Sequence, residues 1–582
     1  MQGSRLSVTR MPVRRWLAVL TTAALVAVGL VTALQPAESA QALSGSDFHA
    51  GYIITDHAFY NANAMTASQI QAFLAAKEGS CTGTCLAKYT VATPDHAAGS
   101  ADSGALICGA YAGSPSELAS SVIFKAQKAC GISAKAILAT LQKESGLVTA
   151  KAATAKQLDE AMGYNCPGEC NPVSRGFFKQ VFGAAWQLKL YKLAQPGDFA
   201  YRLGTYDIPY SSAAGCASPA LKLWNYATAA LYNYTPFQPN AAALKNLSGS
   251  GDACSSLGNR NFWVIYNGWF GSPTTLGQAG VSLSRLQGAD RFATAVAISR
   301  SGFPATAPVV YVTTGLNYPD ALSAAPAAAK QGGPLLLVRP TSLPSAVKNE
   351  IARLKPALIV VAGGPGAVSN GVYRALEKLA PKIRRDAGAD RYETSRIVIA
   401  RAFTGSALAY VATGANFPDA LSASAAAAAS AAPVVLVNGS KTTLDTATRK
   451  LLATLKTTRV KIAGGPAVVS KGIASVLSET TGITSVRRLY GADRYQTAER
   501  INRDAFSASS TLYLANGQAY PDALAGAAVA GVQKAPLYVI PPRCAPFDIL
   551  EDAISLGASR VVLLGGTGAL ASSVTRAPCS DE

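Results

Sequence analysis

The 582-residue chain carries 52 Lys and Arg against 33 Asp and Glu, a net charge of +19, and only three His. A basic balance of this size points to an anionic partner, and the scarcity of His argues against a zinc centre at the closely spaced Cys166 and Cys170. The charge is uneven: residues 43–282 hold 16 basic and 13 acidic side chains, whereas residues 283–582 hold 32 and 19.

Arg5, Arg10, Arg14 and Arg15 precede an apolar run over residues 16–34, and Ala40-Gln41-Ala42 places small residues at the two positions a signal peptidase reads. Residues 1–42 are therefore expected to be a signal peptide cleaved after Ala42. An uncleaved anchor is the alternative, because about 19 apolar residues nearly span a bilayer. Either way the bulk of the chain is expected outside the cell, and retention at the surface would be noncovalent. Ten cysteines fit that compartment. Their connectivity is not fixed by sequence, and pairing of neighbours is the simplest choice: Cys81 with Cys85, Cys108 with Cys130, Cys166 with Cys170, Cys216 with Cys254, and Cys544 with Cys579.

Residues 43–273 form the expected N-terminal domain. Ser114-Pro-Ser-Glu117 reads as a capping box for a helix ending at Gly131. Ser133 then opens a second helix with Ile137, Leu138 and Leu141 on its apolar face and Glu144 near its end. A carboxyl group partly walled by apolar side chains has its pKa raised and can act as a general acid. The plainer reading is a helix-end carboxylate beside Lys143 and Lys151.

Glu144-Ser145-Gly146 after an apolar helix, with Ala229-Ala-Leu-Tyr-Asn233 farther on, resembles the lysozyme-like superfamily, in particular soluble lytic transglycosylases and goose-type lysozymes. The domain also looks like the N-terminal part of secreted actinobacterial proteins. The resemblance implies a mainly α fold, Glu144 as general acid, Ser145 as its hydrogen-bonding neighbour, Tyr232 and Asn233 as contacts to peptidoglycan glycan, and no cofactor or metal. The chain departs from the superfamily where Ala161-Met-Gly163 replaces Gly-Leu-Met-Gln and where Tyr234-Thr-Pro236 follows Asn233. Attack by water would need a second carboxylate, for which Asp159, Glu160, Glu169, Asp198 and Asp207 are equal candidates. A transglycosylase needs none. Most aromatics of this domain are expected in its core, since Phe177, Val181, Ala184 and Ala185 already form a helical stripe.

After an expected linker at residues 274–282, one unit of about a hundred residues is written three times. Gly-Ala-Asp-Arg ends at Arg291, Arg391 and Arg494; Pro-Asp-Ala-Leu carries Asp320, Asp419 and Asp522; a Gly-Gly pair falls at Gly363, Gly464 and Gly565. In the first unit, residues 292–302 read as a helix and 309–313 as a buried strand. Asp320 is expected to cap a helix through Lys330, followed by strand 334–338, helix 345–354 and strand 357–361. Short apolar strands alternating with helices predict a parallel sheet covered on both faces, hence Rossmann-like α/β units. No Gly-x-Gly-x-x-Gly follows a first strand, so dinucleotide binding is disfavoured. Asp320, Asp419 and Asp522 read as helix caps, and Arg291, Arg391 and Arg494 as partners of charges at the repeat junctions. All six remain candidates for polymer contact.

These phrases resemble the cell wall binding repeat type 2 family, over repeats placed at 283–383, 384–486 and 487–582. The resemblance implies three repeats packed within one monomer and holding an anionic secondary wall polymer noncovalently. The expectation is thus a multidomain wall protein: a mainly α lysozyme-like domain acting on peptidoglycan, then three α/β repeats with parallel sheets. Nucleic acid and, after signal cleavage, membrane are not expected as partners. A noncatalytic surface protein or adhesin is the alternative.

Overall fold

Helix α3 (Ala134–Ser145) forms where the sequence predicts it. Ser133 caps it by accepting the Lys135 N–H at 3.2 Å, and Gly146, at φ +69°, ends it in the left-handed conformation that glycine adopts without strain. Ile137, Leu138 and Leu141 are fully buried in one apolar cluster with Phe177, Val181, Tyr232 and Trp263. The computed structural model describes residues 43–276, 280–575 and 579, and the expected signal peptide lies outside them.

The rest of the N-terminal domain wraps this helix. Before it come α1 (Ala67–Glu78), β1 (Thr90–Thr93), β2 (Ser114–Leu118) and α2 (Ala119–Cys130). After it come α4 (Phe177–Leu193), β3 (Gly204–Asp207), β4 (Ala220–Leu223), α5 (Tyr226–Tyr234) and α6 (Gly258–Phe270). One expectation fails here. Ser114–Leu118 is a strand antiparallel to β1, and α2 starts at Ala119 without a side-chain cap. Glu117 is buried instead, where the Thr93 and Tyr111 hydroxyls at 2.7 Å, Ser121 at 2.9 Å and the Lys125 ammonium at 2.6 Å surround its carboxylate. Those donors satisfy the charge better than one backbone N–H would. All five neighbour disulfides are formed.

The C-terminal half runs β5 (Ser282–Leu286), α7 (Arg291–Gly302), β6 (Val309–Thr314), α8 (Pro319–Lys330), β7 (Leu335–Val338), α9 (Ser345–Leu354), β8 (Leu358–Ala362), α10 (Asn370–Glu377) and β9 (Lys382–Asp386). The pattern repeats as α11 (Arg391–Ala402), β10 (Leu408–Thr413), α12 (Pro418–Ala429), β11 (Val434–Val437), α13 (Thr446–Thr454), β12 (Arg459–Ala463), α14 (Lys471–Glu479) and β13 (Ser485–Leu489). It closes with α15 (Arg494–Ala505), β14 (Thr511–Asn516), α16 (Pro521–Val532), β15 (Leu537–Ile540), α17 (Phe547–Ser555) and β16 (Arg560–Leu564).

Each unit is a four-stranded parallel sheet, in the orders β7-β6-β8-β9, β11-β10-β12-β13 and β15-β14-β16-β5. The fourth strand of each sheet leads directly into the Gly-Ala-Asp-Arg phrase of the next repeat. The third sheet takes its fourth strand from the start of the array, pairing Arg560 with Ser282 and Leu564 with Leu286. The three repeats therefore close into a ring. The expected boundaries at 383/384 and 486/487 fall inside β9 and β13, and the expected linker is partly core: Leu276 is 1% exposed within the apolar cluster of the repeats.

At the centre of the ring α8, α12 and α16 pack on one another. Their small residues let the helix backbones approach closely, and nearly all are buried. Serines stitch the seam: Ser323 donates to Val434 O at 3.0 Å, and Ser424 to Leu322 O at 3.0 Å. Tyr318, Phe417 and Tyr520, one from each helix start, form a triangle with centroids 5.5, 5.6 and 5.6 Å apart. Residues from Gly45 onward make one compact unit. The N-terminal domain rests on the third repeat, where the Tyr52 ring meets Phe547 edge-on at 4.2 Å and its hydroxyl donates to Glu551 Oε1 at 3.1 Å.

Candidate functional site

The three repeated phrases converge beyond the carboxyl ends of the strands. In parallel α/β sheets this is where ligand clefts form. Between the first and second repeats lies a cleft of about 490 Å³ lined by Asn317, Asp320, Gly364, Gly388, Asp390 and Arg391. Its counterpart between the second and third, about 370 Å³, is lined by Asn416, Asp419, Gly465, Gly491, Asp493 and Arg494. Each cleft joins one repeat's Pro-Asp and Gly-Gly phrases to the next repeat's Gly-Ala-Asp-Arg.

The assignment of caps differs from the expectation. Asp320, Asp419 and Asp522 are the second residues of their helices, which start without a side-chain cap. The caps are Asp290, Asp390 and Asp493, each accepting two backbone N–H groups of the helix that follows. Their extended backbones let the carboxylate fold back onto those N–H groups. Asp320, Asp419 and Asp522 instead press against Gly363, Gly464 and Gly565, whose positive φ of 109°, 105° and 99° also demands glycine. Burial raises the pKa of each of these three aspartates, and an arginine of the neighbouring repeat opposes the shift: Arg391 for Asp320, Arg494 for Asp419, Arg291 for Asp522. The last pair joins the first repeat to the third, so the electrostatics close the ring as the strands do. The arginines also donate to Gly315, Gly414 and Gly517 O at 2.7, 2.7 and 2.8 Å.

A second arginine set was not singled out in the sequence. Arg285, Arg385 and Arg488 donate to Gly565, Gly363 and Gly464 O at 2.7, 2.8 and 2.9 Å. Their signal was available as a repeated Arg three residues before Gly-Ala-Asp-Arg in each copy, but these basic strands do not read as buried β-structure.

In the N-terminal domain the candidate residues separate. Glu144 is partly open, its side chain 27% exposed, and its Oε1 lies 2.6 Å from the buried Lys143 ammonium. Lys143 also donates to Thr235 Oγ1 at 2.7 Å. An acid role would first require this ion pair to open. Ser145 turns away, donating to Leu141 and Ala161 O at 2.9 and 2.8 Å. Tyr232 is fully buried and donates to Ala50 O at 3.0 Å, so it offers no face to a sugar. Asn233 spends its amide on the Tyr201 backbone, accepting at 3.0 Å and donating at 2.7 Å. Beside Glu144 stand Gly163, where a Cβ would lie 3.3 Å from the Glu144 carboxylate, and the half-buried Tyr234, whose hydroxyl donates to Met162 O at 2.7 Å. Of the candidate second carboxylates, Glu160 lies 4.0 Å from Lys156 and Asp198 accepts the Gln195 N–H at 2.6 Å. No cluster of metal-ligating side chains occurs among the described residues.

Comparison with known proteins decides the nature of the array. The family described as Cell wall binding domain 2 matches residues 285–373, 385–474 and 488–575. The ring is three cell wall binding repeats. Residues 52–281 match a different family, described as the LasA N-terminal domain, which the sequence motifs did not suggest. Among curated proteins the chain is similar to the N-acetylmuramoyl-L-alanine amidase LytC of Bacillus subtilis, 29% identical over 302 residues, 52% of this chain and 58% of the relative. It is also similar to the amidase enhancer of the same organism, 27% identical over 262 residues, 45% of this chain and 35% of the relative. The chain thus spans less than two thirds of the length of either relative. Among solved structures, Cwp6 from Clostridium difficile is 25% identical with a TM-score of 0.47, covering 51% of this chain and 47% of that one. The wall binding repeats and the curated relatives mark a cell-wall-associated protein, and no described helix is long and apolar enough to cross a membrane.

Proposed function

We propose that this exported protein is held at the cell surface noncovalently, its three wall binding repeats gripping an anionic secondary wall polymer, while the N-terminal domain meets peptidoglycan. The observation that carries the reading is the recurrence of one cleft design at two junctions of the ring, with the same aspartate-arginine pairing at the third. A polymer is itself a repeat, and linked equivalent sites bind it with an effective concentration that no single site has. The surplus of basic residues over acidic ones in residues 283–582, 32 against 19, supplies long-range attraction to an anionic chain. The experiment is binding of the full chain to purified walls before and after the secondary polymers are extracted. Extraction should abolish retention, and added salt should weaken it, because exposed charges are screened beyond about 8 Å at physiological ionic strength. Undiminished binding to stripped peptidoglycan would sink the proposal.

A second reading, glycan-strand cleavage of the lytic transglycosylase or muramidase kind, rests on Glu144. Its carboxylate is partly open at a helix end, with Tyr234 and Gly163 beside it. The curated relatives are named an amidase and an amidase enhancer, so proteins similar to this chain include both an enzyme and an accessory factor. Glu144→Gln keeps the shape and removes the transferable proton, and loss of a general acid costs about 10² to 10⁴ in rate. Release of muropeptides by the unmodified chain and its loss in Glu144→Gln would support cleavage. No release by either would leave the domain a noncatalytic glycan-binding module.

A further inference from the structure

We infer a saccharide site in the N-terminal domain, away from Glu144: a groove of about 490 Å³ formed by the loop before β3 and the start of α5, lined by Pro196, Phe199, Arg202, Leu203, Tyr206 and Tyr226. Its ligand is a carboxylate-bearing pyranose. The inference rests on the reading that this domain meets wall glycan and names where it does so.

Two features fix the ligand chemistry. First, Phe199, Tyr206 and Tyr226 are each half-buried rather than core, and Leu203 beside them is 44% exposed. Phe199 is braced edge-to-face by Tyr191 at 4.6 Å, and Tyr206 by Tyr201 at 5.6 Å. Rings held in place by neighbours lose little entropy on contact, and the apolar C–H face of a pyranose stacks on such rings. Second, the Arg202 guanidinium has no carboxylate partner among the described residues and lines the groove, whereas the unpaired arginines of the repeats, such as Arg291 and Arg385, are spent on backbone carbonyls. An unpaired guanidinium beside an aromatic wall is suited to a bidentate carboxylate. Lys192 lies 5.9 Å from the Tyr226 ring with its charge shared with Asp56, which leaves Arg202 as the cation of the groove, and the nearby Asp198 is occupied by the Gln195 N–H.

The loop is held for this purpose by a residue that the sequence places in substrate binding. Asn233 grips both backbone groups of Tyr201, and the Arg202 N–H donates to the Tyr206 hydroxyl at 3.2 Å. Asn233 is thus a positioning residue: it sets the loop from which Phe199 and Arg202 project.

A carboxylate-bearing sugar has two sources at a wall, the lactyl group of muramic acid in the glycan strand and the uronate of an anionic polymer. Calorimetric titration of the full chain with N-acetylglucosaminyl-N-acetylmuramic acid, with digalacturonic acid and with the neutral chitobiose distinguishes them. At least one acid should bind, Arg202→Gln should weaken that acid about tenfold or more, and chitobiose should be indifferent to the change. Phe199→Ala should weaken every sugar that binds. Preference for the muramyl disaccharide assigns the groove to the glycan strand, and preference for the uronate assigns it to the polymer. Failure of both acids to bind, or equal affinity in Arg202→Gln or in Phe199→Ala, overturns the site. Retention of Arg202→Gln on whole walls should match the unmodified chain, so a failure of repeat-mediated anchoring is read separately.

Discussion

The contacts of the repeated arginines and aspartates at the repeat junctions are made three times, and every contact around Glu144 is made once. The Arg to Gly carbonyl bond recurs at 2.7, 2.7 and 2.8 Å, and the aspartate facing the neighbour's arginine recurs around the whole ring. Repetition acts as an internal control: a phrase kept in three copies at one place in the fold has a role there. The Glu-Ser-Gly phrase has no such control, and its expected partners point elsewhere. Where the array breaks its own symmetry, the break is informative. Phe547 and Glu551 on α17 stand where the corresponding helices have Ser345 and Asn349, or Thr446 and Lys450, and this third copy alone carries the Tyr52 contact.

Removal of one repeat should have the largest effect on the array. Without residues 487–575 the strand β5 loses its partner β16, and the buried faces of α8 and α12 lose α16. The whole fold of the array is then at stake, a loss of more than about 5 kcal/mol on the usual scale of domain stability. Thermal unfolding followed by circular dichroism should show no cooperative transition for the array. A two-repeat chain that melts like the intact protein would show that the ring is not a unit.

Phe417→Ala comes next. The ring is half-buried in the central aromatic triangle, so the cost should be about 2 kcal/mol, below the range for a fully buried Phe. Denaturant midpoints measure it, and the same loss should follow Tyr318→Ala or Tyr520→Ala if the triangle is shared equally.

Tyr232→Phe probes the other region. The sequence reading makes Tyr232 a sugar contact, whereas its buried hydroxyl on Ala50 O makes it structural. The substitution leaves a half-buried acceptor without this donor and should cost about 1 kcal/mol of stability without altering glycan affinity. An affinity loss at unchanged stability would restore the sequence reading.

Much of the array was legible because its elements are local: apolar strands such as Val309–Thr314 and helices such as Ser345–Leu354 declare themselves within a few residues. Ring closure was not, since pairing of Arg560 with Ser282 joins residues almost 280 positions apart in sequence and leaves no local mark. The basic strand Lys382–Asp386 was also hidden. Its arginines are held individually, Arg384 by Asp386, which Arg401 of the next helix also reaches, and Arg385 by the Gly363 carbonyl. In the N-terminal domain, α3 and its cap were legible to the residue, but a turn signal misled at Ser114, where the carboxylate of Glu117 found better donors inside than at a helix start. The groove at Arg202 could not be read at all, because it depends on Asn233 and Tyr201 meeting across the fold.

The smallest predicted effect sharpens the asymmetry of the third repeat. Burial against the N-terminal domain pushes the Glu551 carboxyl up to about 7, with Asp56 and Asp552 adding to the shift and the Tyr52 hydroxyl and Lys192 opposing it. A carboxyl raised in the folded state binds its proton more tightly there than in the unfolded chain. Stability is therefore full below the ordinary carboxylate range near 4.5, falls as the pH rises toward 7, and stays lower above it. Glu499, also pushed up to about 7 by burial and by Asp548, contributes with the same sign but lies within the repeat. Glu551→Gln removes the interface share alone. Its effect should be about 1 kcal/mol or less once solvent screening is discounted, seen as a flatter pH dependence of melting between 4.5 and 7 than the unmodified chain shows. Glu499→Gln should flatten the same window without changing protease access to the Tyr52 contact, whereas Glu551→Gln should reduce that access at pH 7. An unchanged pH profile in Glu551→Gln would mean that the contact is held by rings, Tyr52 and Trp224 at 4.2 and 5.6 Å from Phe547, without a contribution from the ionisation of Glu551.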